Sequence, residues 1–186
     1  MTKQRGSSFI ELAIALPVII FLIFGALEFS RVLRIKQEVQ ASNDQVANAL
    51  IRDCRWTSLY LNFNPWPGQA CLNNILAAVT PSYDANNAEA IFPGAQVNVG
   101  IYGCYAPGSP FYDAANPIRL LGAGAFPPQG NVDPPLTVAE VADRGLLPSC
   151  IATGLLAVSH VRFSFSALMP SLFGRENYAV DALSLY

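Results

Sequence analysis

The stretch FIELAIALPVIIFLIFGAL, Phe9–Leu27, decides the architecture of this chain. It holds 19 positions and a single charge, Glu11. As an α-helix it measures about 28 Å at ~1.5 Å per residue, close to the ~30 Å hydrocarbon core of a bilayer. Apolar residues cover every face of it, so it does not read as the amphipathic helix of a soluble core. The reading is one transmembrane helix. A cleaved secretory signal is the rival, since Lys3 and Arg5 supply a positive flank. The only small-residue segment after the apolar run, Gly25-Ala26-Leu27-Glu28, fits a signal cleavage site poorly.

The rest of the composition agrees with a membrane-anchored or secreted chain. Of 186 residues, 52% are hydrophobic and 13% charged, with mean hydropathy +0.33. Soluble domains carry about 25% charged residues. Eleven Lys and Arg against thirteen Asp and Glu leave a formal net charge of −2. That balance lacks the basic face that releases phosphate counterions, so nucleic acid is not an expected partner. Intrinsic disorder is excluded by the apolar content.

Glu11 is the informative position. A charge at mid-membrane costs roughly 2.5–3.5 kcal/mol, and less near a helix end, where it can snorkel. Just before it stand Arg5, Gly6 and Ser7. A Gly, four residues, then Glu, with basic residues ahead and an apolar run behind, resembles the prepilin processing site of type IV pili. The resemblance implies that a membrane-embedded prepilin peptidase cuts after Gly6, leaving Ser7 as the new amino terminus and Glu11 as fifth residue of the mature chain. A protonated α-amino group at Ser7 would then be neutralised by Glu11 of an adjacent subunit, where an unpaired buried charge is expensive.

The wider stretch is closer still to the TadE-like family of pseudopilins and minor pilins of the Tad (tight adherence) pilus. The residues that carry this resemblance are Arg5-Gly6, Glu11, Leu16-Pro17-Val18, Glu28-Phe29 and Arg31, within about the first fifty positions. Leu12 stands where many members place an aromatic residue. The family implies partners: other pilin subunits through the N-terminal helix, the prepilin peptidase, an inner-membrane assembly platform and membrane lipid. It implies localisation in the bacterial inner membrane and then on the pilus at the cell surface, with roles in assembly, priming and adhesion.

Beyond Phe29 a helical stripe continues. Val32, Ile35, Val39, Ser42, Val46 and Ala49 recur at spacings of three and four, with no Pro or Gly between Ala26 and Trp56. A continuous helix from about Ser7 to Arg52 is roughly 69 Å long. Its outer half is either a stalk packing on partner subunits or a core helix lying on its own domain. The residues that carry either packing are Val32, Ile35, Val39 and Val46.

From Cys54 onward Pro and Gly accumulate, marking loops such as 105–110 and 126–130. Periodicity predicts helices over Gln69–Val79 and Val138–Leu147, the second ending at Pro148. It predicts strands over Gln96–Tyr102, His160–Ala167 and Tyr178–Tyr186, the last two forming an antiparallel hairpin. The fold class expected is α+β: a long transmembrane and stalk helix followed by a small domain of short helices and an antiparallel sheet. The divisions are 1–6 for the leader, 7–52 for the helix and 53–186 for a periplasmic or extracellular domain.

Cys54, Cys71, Cys104 and Cys150 all lie past the membrane span. An even count in a loop-rich domain suggests two disulfides with three pairings open; proximity alone favours Cys54–Cys71 and Cys104–Cys150. Disulfides require an oxidising compartment, which puts the N-terminus in the cytoplasm and the domain in the periplasm. Charge alone does not orient the helix, because Lys3 and Arg5 face Arg31, Arg34 and Lys36 across the span.

Chemistry is thin. His160 is the single histidine, and it sits on a predicted strand. No C-x-x-C, G-x-S-x-G or phosphate-binding Gly motif occurs, so no catalytic residue, metal or cofactor is expected. Gly122-Ala-Gly124 lacks a preceding strand and a third glycine. Asp84, Asn86, Asn87 and Glu89 read as a solvated turn rather than a calcium loop. Trp56, Tyr60, Phe63 and Trp66 form an aromatic cluster past the stalk. The alternative to a pilin is an uncleaved single-pass protein whose periplasmic domain binds a ligand or acts enzymatically.

Overall fold

The computed structural model describes residues 5–54 (backbone alone for 5–8), 68–108, 112–126, 135–168, 170, 174 and 177–186. In chain order the elements are α1 (Arg5–Cys54), α2 (Gln69–Tyr83), β1 (Gln96–Cys104), β2 (Ile118–Phe126), α3 (Val138–Asp143), α4 (Leu147–Thr153), β3 (Leu155–Ser166) and β4 (Asn177–Leu185). The four strands form one antiparallel sheet in the order β2-β1-β3-β4. The architecture is α+β, with a single 50-residue helix leading into a small domain.

Strand alternation puts Val97, Val99, Ala157, Val161, Phe163, Phe165, Val180 and Ala182 on one face, all buried. That face carries the main core, covered by the C-terminal half of α1 and by α2. α2 presents Leu72, Ile75 and Leu76 to it, with Val79 partly buried, the face that its period predicts. A row of aromatic rings runs along this layer. Tyr83 stacks on Phe92, Phe92 meets Phe163 edge-on, and Phe163 and Phe165 continue to Tyr178 with centroids 5.5–6.1 Å apart.

The other face is covered at one end only. Tyr102, Cys104, Ile118, Leu156 and Val158 pack there with Leu136, Val141 and Cys150. The remainder, with Gln96, Asn98, His160 and Arg162, is a polar surface bearing a shallow pocket of about 130 Å³ that Pro135 also lines. His160 sits 3.5 Å from Asp181 and Arg162 donates to the same carboxylate at 2.9 Å, so the histidine is part of a surface polar cluster. The Arg162 hydrogen bond holds the Asp181 carboxyl below its ordinary value.

Three sequence expectations change. The predicted helix over Val138–Leu147 stops at Asp143, because Gly145 takes a left-handed conformation at φ +68°. Pro148 then lies in the first turn of α4, where its missing N–H costs nothing, instead of ending a helix. β2 was not predicted, since Gly122 and Gly124 suppress the β signal; both lie inside it. Gly124 faces α2: a Cβ there would stand 2.4 Å from Leu76 Cδ1 and 2.6 Å from Leu72 Cδ2, so the glycine permits the close approach of helix to sheet.

Both disulfides join neighbouring elements. Cys54–Cys71 ties the end of α1 to α2 with Cα atoms 5.7 Å apart. Cys104–Cys150 ties the end of β1 to α4 at 5.6 Å. The first cysteine is joined to the second and the third to the fourth, the pairing that the sequence favoured. Bridges of this kind contribute about 2–4 kcal/mol each; the first clamps the two helices of the main core to each other, and the second holds α4 to the sheet.

Tyr102 is wholly buried; its hydroxyl donates to the Leu136 carbonyl and accepts from the Leu136 N–H. Burial pushes the phenol up to about 12 from 10.0. A raised folded value means stability is fully present below pH 10 and is lost as pH rises toward 12. Urea unfolding of the solubilised chain at pH 9 and pH 11 measures this. The Tyr102→Phe chain should lose about 1 kcal/mol less between the two than the unsubstituted chain; equal losses would show that another group governs the alkaline limb.

Candidate functional site

The candidate site is α1, which has two unlike halves. Gly6 and Ser7 lie in its first two turns, and Ser7 and Glu11 are spaced i,i+4 on one helical face. Glu11 is exposed. Pro17 sits within the helix without ending it. From Phe9 to Leu27 the large apolar side chains stand clear of the domain, with Phe9, Ile10, Ile14 and Leu22 each more than 60% exposed. A bare apolar surface of that length is too large for a protein monomer in water, and no part of its most apolar stretch is covered by the rest of the chain.

The change comes at Glu28, which is 3% exposed. Its Oε1 accepts the Leu168 N–H at 3.1 Å, just past the end of β3. Its Oε2 lies 3.9 Å from the Arg31 guanidinium, which itself donates to the Ser166 carbonyl at 3.1 Å and covers the Phe165 ring at 5.5 Å. The charge is compensated where the helix first touches the sheet, which is what a buried carboxylate requires.

One turn after another, α1 then seats on β3 and β4. Val32 and Ile35 pack against the core edge, and Val39, Val46 and Leu50 are inside it. The stripe read from sequence therefore belongs to the chain's own domain in this half, rather than to a free stalk. The buried face is wider than that stripe: Asn43, Ala47 and Leu50 are buried beside Val39 and Val46, while Ser42 and Ala49 are half-buried. The helix also runs two residues past Arg52, to Cys54.

Asn43 is the polar key of that seat. It is fully buried, and its Nδ2 reaches the Ser159 carbonyl at 3.0 Å, the Ala182 carbonyl at 2.9 Å and Ser184 Oγ at 2.9 Å. Ser184 donates to Asp44 Oδ1 at 2.5 Å, and Gln40 donates to both Asp44 and Ser184 at 3.1 Å. Ser42 and the buried Tyr83 share a hydrogen bond of 2.5 Å, which links α1 to α2. Period analysis misses Asn43 because polarity argues for exposure until the carbonyls of a paired sheet are known to lie opposite.

Other candidates stay apart from this site. Asp84, Asn86, Asn87 and Glu89 form a self-bonded turn, in which Asp84 accepts from the Asn86 N–H and Asn87 from the Glu89 N–H. Among the described residues, no group of three or more His, Cys, Asp or Glu is placed to hold a metal ion. Trp56, Tyr60, Phe63 and Trp66 lie outside the described residues.

Together these features define a class: a disulfide-braced α+β domain built onto the far half of a helix whose near half has the length and composition of a membrane span. Residues 6–47 match the family model of the TadE-like proteins, 42 of the 186 positions. The N-terminal helix of this chain is thus similar to the TadE-like proteins. No curated protein and no solved structure matches the chain.

Truncating Asn43 to Ala removes the amide donor from two sheet carbonyls and from Ser184, which keeps only the Gln40 amide. The expected cost is about 1–3 kcal/mol, read as a lower urea midpoint. Asn43→Asp should cost more, because a carboxylate would face carbonyl oxygens and Asp44.

Proposed function

We propose that this protein is a minor pilin, or pseudopilin, of a Tad-type pilus. It is inserted by its N-terminal helix, processed after Gly6, and taken into or used to prime the fibre that serves surface adhesion. The observation that carries this reading is the uncovered apolar half of α1 directly behind Gly6, Ser7 and Glu11, in the stretch that matches the TadE-like family. An exposed helix of this kind is soluble in lipid and equally able to pack among other helices once it leaves lipid.

In this reading residues 1–6 are the leader, the helix from Ser7 is the span and seat, and the remainder is the displayed domain. The N-terminus is cytoplasmic and the domain periplasmic, which the two disulfides support through their need for an oxidising compartment. The partners are other pilin subunits through Phe9–Leu27, the prepilin peptidase at Gly6 and Ser7, the inner-membrane assembly platform, and lipid before assembly. Glu11 pairs with the Ser7 amino group of a neighbouring subunit. The protein works as a structural subunit and not as an enzyme. Because Val32, Ile35, Val39 and Val46 are occupied by the chain's own sheet, subunit packing falls to the half before Glu28.

Intact mass and the N-terminal residue of membrane-extracted protein, with and without the peptidase, test the processing step. A chain beginning at Ser7 only when the peptidase is present, and four hydrogens lighter than its reduced form, is the expected result. A full-length chain in both strains would replace the pilin by an uncleaved single-pass protein with a ligand-binding or enzymatic domain. Glu11→Ala should leave the protein in the membrane and reduce its recovery in sheared pili at least tenfold; unchanged recovery would remove the charge pair.

A further inference from the structure

The end of the apolar span and residues 166–168, where the tip of the β3–β4 hairpin begins, occupy the same level of the molecule. Phe9–Leu27 is about 28 Å of helix, so Glu28 stands at the boundary of a ~30 Å hydrocarbon core. The backbone N–H of Leu168 is bonded to Glu28, and the Ser166 carbonyl to Arg31 one turn on. Both residues of α1 that fasten the hairpin tip therefore lie within the first turn beyond the span. At this level Leu168 is 61% exposed and Phe29 is 65% exposed. From His160 to Ser166 the alternate side chains of β3 that point away from the main core are polar: His160, Arg162, Ser164 and Ser166.

We propose that the start of the β3–β4 tip, residues 166–168, is a second membrane-contacting element, with Leu168 seated in the lipid interface at the level of Phe29. Glu28 is the positioning residue that holds it there. The occupant is the bilayer surface, argued from continuity with the span and from the charge at the next level. The Arg31 side chain is 34% exposed and lies about 4.5 Å along the axis from Glu28, in reach of headgroup phosphates, a usual place for a basic side chain. Two attachments, the helix and the tip, fix the tilt of the domain on the membrane, where one helix alone would let it swing. The inference rests on α1 being the membrane span.

The full chain is reconstituted in phosphatidylcholine–phosphatidylglycerol vesicles with brominated acyl chains. Leu168→Trp is read as quenching in excess of the unsubstituted chain, whose Trp56 and Trp66 supply the baseline. Leu22→Trp reports the span. Tyr186→Trp reports the far end of the domain, since Tyr186 pairs with Ala157 at the opposite end of β3. The expected excess for Leu168→Trp is at least twice that of Tyr186→Trp, falling by half or more when Glu28→Ala is added with near-UV circular dichroism unchanged.

Quenching of Leu22→Trp alone would overturn the tip contact while leaving the span intact. Absence of quenching at both positions would overturn the span reading itself. Emission from Leu168→Trp that shifts to the blue with protein concentration but is not quenched would show that a second copy covers the tip, which also overturns the proposal.

Discussion

Asn43 holds the molecule together at the point where a helix made for lipid becomes a helix made for a protein core. Its amide reaches the carbonyls of Ser159 and Ala182 on two adjacent strands, so α1 is registered on the β3–β4 pair and not merely pressed against it. Apolar packing by Val39, Val46 and Leu50 is non-directional and would tolerate sliding by a turn. A buried amide that must meet particular acceptors does not, because any shift leaves it unsatisfied. Everything on either side follows from that registration. Glu28 is brought to Leu168 at one end, and Cys54 to Cys71 at the other.

The domain is asymmetric about its sheet. One face buries an aromatic row and both long helices, and the other is half covered by α3, α4 and Leu136. Each face has its own disulfide: Cys54–Cys71 joins the two helices that cover one face to each other, and Cys104–Cys150 joins α4 on the other face to β1. This suits a domain of modest size, whose single core would supply only a thin margin of stability. Because half of α1 is part of that core, the anchor and the domain are one folding unit. A force on the helix is transmitted to the sheet through Glu28, Asn43 and the core valines.

How much of this was legible depended on local period. The span, α2, β1 and the β3–β4 hairpin all follow from the recurrence of apolar residues, and the buried sides of α2 and of β3 from His160 onward were assigned correctly, though β3 starts five residues earlier, at Leu155. Elements lacking such contrast were missed. β2 contains Gly122 and Gly124, and its meaning lies in Leu72 and Leu76 of a helix about fifty residues earlier in the chain. The α3–α4 break turns on one positive φ at Gly145, which a run of helix formers conceals. In α1 the stripe was seen but Glu28 and Asn43 beside it were not, because they are polar residues that the fold buries.

By itself the sequence determined that the chain carries one lipid-compatible helix, that an α+β domain follows it, and that the Gly6–Glu11 pattern stands at its head. Each is a property of composition or of spacing along the chain, and neighbours in space are not needed to state it. Only the tertiary structure decided what the second half of α1 packs against, which cysteines meet, and why a glutamate and an asparagine lie inside. The two buried polar residues depend on partners more than a hundred positions away, Glu28 with Leu168 and Asn43 with Ser159 and Ala182. A buried polar group is favourable only when such partners arrive, and their arrival is a fact of topology.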